Sequence, residues 1–144
     1  MKTTTLKKIL LVCCLLWGQL LAHPHTFIES RLGVEFAAGK AKGVWLEWTF
    51  DEMFSSQIIM EADFNQNRKF ESKELEYLYE NAFSNLENYG YFFYQRLNKE
   101  RVSPTEVSDF SAWIKGDKLV YKFFIPLQHK QSPLIISLID STFF

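Results

Sequence analysis

Twelve consecutive residues, Asp63-Phe64-Asn65-Gln66-Asn67-Arg68-Lys69-Phe70-Glu71-Ser72-Lys73-Glu74, have the most chemically specific spacing in the chain. Oxygen-bearing side chains occupy the first, third, fifth, ninth and twelfth places: Asp63, Asn65, Asn67, Glu71 and Glu74. Calcium takes six to eight oxygen ligands at about 2.3–2.6 Å, and alternate residues of a tight loop turn inward to supply them. Lys69, in the seventh place, would give its backbone carbonyl, and Glu74 would bind through both oxygens from the following helix. Apolar Phe70 in the eighth place belongs to the same layout. The sixth place, where such loops need glycine, holds Arg68 instead. A left-handed backbone there costs a non-glycine residue roughly 1–2 kcal/mol. Two asparagines among the ligands also lower the charge, and the chain carries a single loop of this kind. The expectation is weak Ca2+ binding, on the order of 10⁻⁴–10⁻³ M.

A second pattern is His23-Pro24-His25. A free α-amine beside a histidine chelates, and a second imidazole follows. Imidazole suits Zn2+, Ni2+ and Cu2+. Pro24 has no N–H to lose, which excludes a square-planar site built on deprotonated backbone amides. Such a site would draw a carboxylate from elsewhere, with Asp51 and Glu52 as candidates. As neighbouring acids ahead of a helix, these two residues also suit capping. His129 lies near Pro126 and Pro133 and reads as a surface loop residue.

The elements that must position these groups are legible from periodicity. Phe27, Leu32, Val34 and Phe36 alternate loosely, residues 37–43 carry two glycines, and Val44, Leu46, Trp48 and Phe50 recur at period two. That predicts an N-terminal β-hairpin. Asp51 is placed to cap a helix carrying Met53, Phe54, Ile58 and Ile59. After the polar loop, Leu75, Leu78, Tyr79, Ala82, Phe83 and Leu86 predict a second helix. Gly90 is positioned to stop it. The unit is an EF-hand-like helix-loop-helix. Strands are predicted over 91–97, 109–115, 118–126 and 134–139, with Gly116-Asp117 as a tight turn. The expected class is α+β: hairpin, helix-loop-helix, then a meander of C-terminal antiparallel strands.

Lys2, Lys7 and Lys8, an apolar run over 9–21, and Ala22 have the order of a secretory signal. Residues 1–22 are therefore read as a signal peptide and 23–144 as one α+β domain, exported to the periplasm. The apolar run is shorter than the ~20 residues of a membrane span. No span is expected after cleavage. Both cysteines, Cys13 and Cys14, would leave with the leader, so disulfides, thiolate metal sites and cysteine nucleophiles are excluded. The leader also takes three of sixteen basic residues, leaving thirteen against seventeen acids, a net charge of −4. Ten of those acids fall within 47–87, opposed there by Arg68, Lys69 and Lys73 alone. That distribution disfavours nucleic acid and favours a cation. The chain finishes on Phe143 and Phe144 directly after a predicted strand, an apolar end that predicts missing C-terminal sequence.

Taken together, His23-Pro24-His25-Thr26-Phe27-Ile28-Glu29, Trp48-Thr49-Phe50-Asp51-Glu52, the 63–74 loop, Asn85-Leu86, Tyr89-Gly90-Tyr91-Phe92 and Asp140-Ser141-Thr142-Phe143-Phe144 resemble a bacterial family. Its members are periplasmic proteins of unknown function, often labelled a periplasmic component of an ABC-type transport system. The resemblance spans the whole mature chain. It implies a periplasmic location and an association with nickel and cobalt permeases, and so a metal permease or other inner-membrane transport component as partner. It also implies that His23 and His25 matter. Arg68 and Ser141 depart from the family pattern, which has Gly and Pro at these places, and family members usually continue further.

The expected function is a periplasmic metal-associated accessory or binding protein linked to transition-metal transport. One alternative is a calcium-stabilised interaction module without a transition metal, and another is a metal-dependent enzyme. No Ser/His/Asp set and no helical histidine pair is present, so no catalytic residue is assigned and the chain is not read as an enzyme.

Overall fold

The computed structural model describes residues 26–97, 99–127 and 133–140. The N-terminal hairpin forms as expected from β1 (Ile28–Ala37) and β2 (Lys40–Phe50). Helix α1 (Glu52–Ala62) follows, then the polar loop, then α2 (Ser72–Leu78). Strands β3 (Phe93–Leu97), β4 (Glu100–Val102), β5 (Ser108–Lys115), β6 (Lys118–Pro126) and β7 (Ile136–Leu138) complete the described chain. The result is a mixed architecture of two antiparallel sheets and a few helices, as the α+β expectation requires.

The expected meander does not form. Of its strands, β5 and β6 pair through the Gly116-Asp117 turn, but β6 then lies against β2, giving the order β1-β2-β6-β5. The second sheet has the order β4-β3-β7. The reason is apolar matching. In β2, Val44, Leu46 and Trp48 are buried on one face. They sit opposite Ile125, Phe123 and Tyr121 of β6, which are equally buried. A strand this apolar needs a partner on both edges and a cover on its face. Phe83, Tyr91 and Phe93 supply the cover: Phe83 meets Phe123 at 4.9 Å between ring centroids, and Trp48 meets Phe123 edge-on at 5.0 Å. The Tyr121 hydroxyl is buried within this aromatic cluster with no hydrogen-bond partner among the described residues.

The second helix also differs from its periodic pattern. After Leu78 the backbone widens into a π-turn over Tyr79–Phe83 and tightens into 3-10 geometry over Ser84–Phe92. A π-turn inserts an extra residue and rotates everything beyond it. Phe83 is thereby fully buried, while Tyr79, expected on the inward face, is 42% exposed. Gly90 does end the regular helix, with φ at 58°. Met53, expected inside on α1, points to solvent; the buried position in that turn belongs to Ser55.

Candidate functional site

The polar loop begins where α1 ends. Asp63 is the C-terminal cap of α1, its N–H donating to the Ile59 carbonyl. Two carboxylates then organise the turn from opposite ends. One oxygen of Asp63 accepts the Asn67 N–H at 3.1 Å and the other accepts the Arg68 N–H at 2.9 Å. Glu74, in the first turn of α2, accepts the Phe64 N–H at 2.9 Å and the Glu71 N–H at 2.8 Å. Both acids are buried, Asp63 at 6% and Glu74 at 2% exposure. Burial of a carboxylate is costly unless hydrogen bonds satisfy it, and backbone amides do so here.

Asn65 and Asn67 continue the pattern. Asn65 Oδ1 accepts the Asn67 N–H at 3.0 Å, and Asn67 Oδ1 accepts the Lys69 N–H at 2.8 Å. Asn67 Nδ2 donates to Glu71 Oε1 at 3.1 Å. The loop is thus folded around its own side-chain oxygens. Phe70 turns the other way, into the core at 9% exposure. Phe64, Asn65, Glu71, Ser72, Lys73 and Glu74 line a shallow depression on the loop's outer side.

Arg68 takes φ of 62°, the left-handed conformation. Its guanidinium reaches across to the β5–β6 turn, donating to the Gly116 carbonyl and to Asp117 Oδ1 at 2.9 Å. The residue that departs from the expected glycine therefore accepts the strained backbone and fastens the loop to the main sheet.

The structure brings Asp63, Asn65, Asn67, Glu71 and Glu74 together through these bonds, with Lys69 in the same turn. Among the described residues no group of three or more His, Cys, Asp or Glu is arranged to hold a metal. That includes the loop's three carboxylates, Asp63, Glu71 and Glu74, so its further oxygen donors are amide and main-chain ones. The chemistry of that set suits a hard cation such as calcium. An ionised carboxylate has about four lone-pair sites, so accepting N–H bonds leaves capacity on each oxygen. His23, His25 and His129 lie outside the described residues.

Asp51, a candidate carboxylate for the histidine site, serves as a cap among the described residues. One oxygen accepts the Phe54 N–H at 2.9 Å, capping α1, and the other accepts the Phe27 N–H at 2.8 Å. The Asp51 N–H in turn donates to the Phe27 carbonyl. The Phe54 amide and then the Phe27 amide hold this carboxyl below its ordinary value. Sequence reasoning found the cap but not the clamp on Phe27, which depends on strand register. It also missed Ser55. This buried hydroxyl accepts the Leu119 N–H at 2.8 Å and donates to the Phe50 carbonyl, tying α1 to both central strands. A serine in a first helical turn gives no local signal of that job.

Residues 8–144 match the family described as "Protein of unknown function (DUF1007)". The chain belongs to that family. It is 34% identical over 90 residues to an uncharacterized 15.5 kDa protein in the trpE 3′ region of Spirochaeta aurantia, covering 60% of this chain and 64% of the relative. It is 32% identical over 114 residues to an uncharacterized protein of Haemophilus influenzae, covering 77% of this chain and 53% of that one. The matches thus span between half and two-thirds of the length of these curated relatives. No solved structure matches the chain. No helix among the described residues is long and apolar enough to cross a membrane.

Proposed function

We propose, with membership of that family as the premise, that this chain is an exported metal-associated binding protein. In this reading it is a periplasmic accessory to transition-metal transport, and its EF-hand-like 63–74 loop takes a calcium ion as a structural staple. The observation that carries the reading is the loop's conformation. Asp63 and Glu74 are buried and close the two ends of the turn, and Arg68 makes the left-handed bend that glycine makes in calcium loops. Asp63, Asn65, Asn67, Glu71 and Glu74 would supply side-chain oxygens and Lys69 its carbonyl. With bound calcium the site contributes a fixed positive charge that ties α1 to α2; the residues themselves hold the turn and exclude water from Asp63 and Glu74.

The amino-terminal end of the mature chain would carry the transition metal. His23, His25 and the free amine form the donor set for nickel, cobalt, zinc or copper. The sequence resemblance to proteins associated with metal permeases supports this half of the proposal and suggests a permease as partner. The role is binding rather than catalysis.

A calcium-stabilised interaction module without a transition metal is the second reading. It is favoured by one observation: the candidate donors brought together among the described residues are those of the 63–74 loop, whereas Asp51 stands apart from them as the cap of α1 and the clamp on Phe27.

Native mass spectrometry of protein exported from a bacterial periplasm, with no N-terminal tag, tests the proposal. A mass beginning at His23 with a bound transition metal, lost in His25→Ala, is the expected result. A chain beginning at His23 that stays metal-free when zinc, nickel and copper are offered overturns the transport reading in favour of the module.

A further inference from the structure

Strand β1 is an edge of the four-stranded sheet, and no described strand pairs with its outer side. An edge this long exposes a row of unpaired N–H and C=O groups. Their positions follow from register. Phe27 bonds back to Asp51 through its carbonyl, directly beyond the Ile28–Phe50 pair. Hydrogen-bonded and non-hydrogen-bonded pairs alternate in an antiparallel ladder. Residues 29, 31 and 33 therefore bond toward β2, while Ile28, Ser30, Leu32 and Val34 direct their amides and carbonyls outward.

The side chains of this edge are unusual as well. Ile28 and Leu32 sit opposite core residues Phe50 and Leu46, on the inward face of the sheet. Yet they are 36% and 42% exposed, because the covering layer stops at β2. On the other face stand Glu29 and Arg31, with side chains 68% and 65% exposed. They have no deep partner: Arg31 meets Glu29 at 3.4 Å along the same strand and Glu47 at 4.0 Å.

We propose that β1 is the interface for a second copy of this chain, the two β1 strands pairing antiparallel about a two-fold axis at Ser30. That register sets Ile28 against Leu32 of the other copy and Glu29 against its Arg31, and the symmetry repeats both pairs. One face gains apolar contact and the other gains two opposite-charge pairs, each of the kind that stabilises cross-strand neighbours. The outward amides and carbonyls of Ile28, Ser30 and Leu32 acquire ladder partners. The competing symmetric registers are poorer. An axis at Leu32 would set Glu29 against Glu35. An axis at Gly33 would rely on Glu35, which already accepts from Lys42 and Trp45, and would run into the bulge between Glu35 and Phe36. An isologous contact of this kind closes on itself as a dimer. The inference is independent of the metal-binding proposal.

Sedimentation analysis of the purified chain across a concentration series, with charge-reversed variants, tests it. Glu29→Arg and Arg31→Glu each place like charges opposite one another twice, and each should weaken dimerisation roughly tenfold or more. The double variant exchanges the pairs and should restore it. All four positions named in the register are exposed at the edge, and circular dichroism checks that the variants keep their fold. In the parent protein, amides of Ile28, Ser30 and Leu32 should gain hydrogen-exchange protection as concentration rises, a readout that needs no variant. A monomer at all concentrations, a dimer that both single reversals leave intact, or a double variant that stays monomeric would each overturn the proposal.

Discussion

Single residues carry two kinds of work in this chain, and Asp51 combines them. Its carboxylate caps α1 through Phe54 and holds the start of β1 through Phe27. The cap was legible in the sequence, because an acid directly before a helical pattern has one common use. The second bond was not, because it joins residues 24 apart in sequence. Asp51→Ala should cost about 1–2 kcal/mol in urea unfolding, the loss expected of an N-cap with a second amide partner. The pH dependence has a defined sign. The folded carboxyl is held below its ordinary value, so its stabilisation is fully present above the unfolded value of about 3.9 and is lost as pH falls through the lower folded value. The stability gap between parent and Asp51→Ala should therefore be constant near neutrality and narrow below about pH 4. A gap that widens on acidification would contradict the assignment. Arg68 is the contrasting residue. Its sequence argued against a calcium-type turn, yet its backbone adopts the left-handed conformation. Its bonds to Gly116 and Asp117 come from a turn that no local pattern could place beside it.

Elements were legible where one periodicity dominated. The β1–β2 hairpin, α1, β5 and β6 form where their patterns place them, and β2 keeps its period-two spacing because Val44, Leu46, Trp48 and Phe50 bury one face in the core. The stretch after Leu78 does not, because burying Phe83 beneath Phe110 and Phe123 requires the π-turn to rotate the chain. Strand pairing was also beyond local reading: besides its neighbour β5, β6 pairs with β2 through apolar matching between residues 71 to 83 apart in sequence, a tertiary effect. Gly90 is the tight point of this region. Its φ is positive, and a Cβ added there would lie 2.5 Å from Ser103 Oγ and 2.8 Å from Ser103 Cβ. Gly90→Ala should destabilise the fold by roughly 1–3 kcal/mol, combining backbone strain with overpacking. Thermal unfolding measures this directly; an unchanged midpoint would mean that the turn relaxes freely and does not set the entry to β3.

At the scale of the whole molecule, two sheets and a short helical layer hold one polar loop at a fixed place. Phe70 anchors it from below, Arg68 ties it to the β5–β6 turn, and α1 and α2 deliver Asp63 and Glu74 to its ends. The oxygen-bearing residues of the loop were readable from spacing alone, since their pattern is local. Their present hydrogen-bonded arrangement was not, because amide satisfaction depends on the folded turn. The residues assigned to a transition metal, His23 and His25, lie before the described part of the chain. The account therefore stands first on the loop. A two-dimensional NMR titration with calcium, run on the parent chain and on Glu74→Gln, tests it most directly. The account predicts saturable shifts of the amides of Phe64, Asn67, Arg68 and Glu71, with a midpoint on the order of 10⁻⁴–10⁻³ M that Glu74→Gln weakens at least roughly tenfold. Amides that do not move up to ~10 mM calcium, well above that range, or that move equally in the variant, would contradict it and leave the loop as a turn held by its own hydrogen bonds.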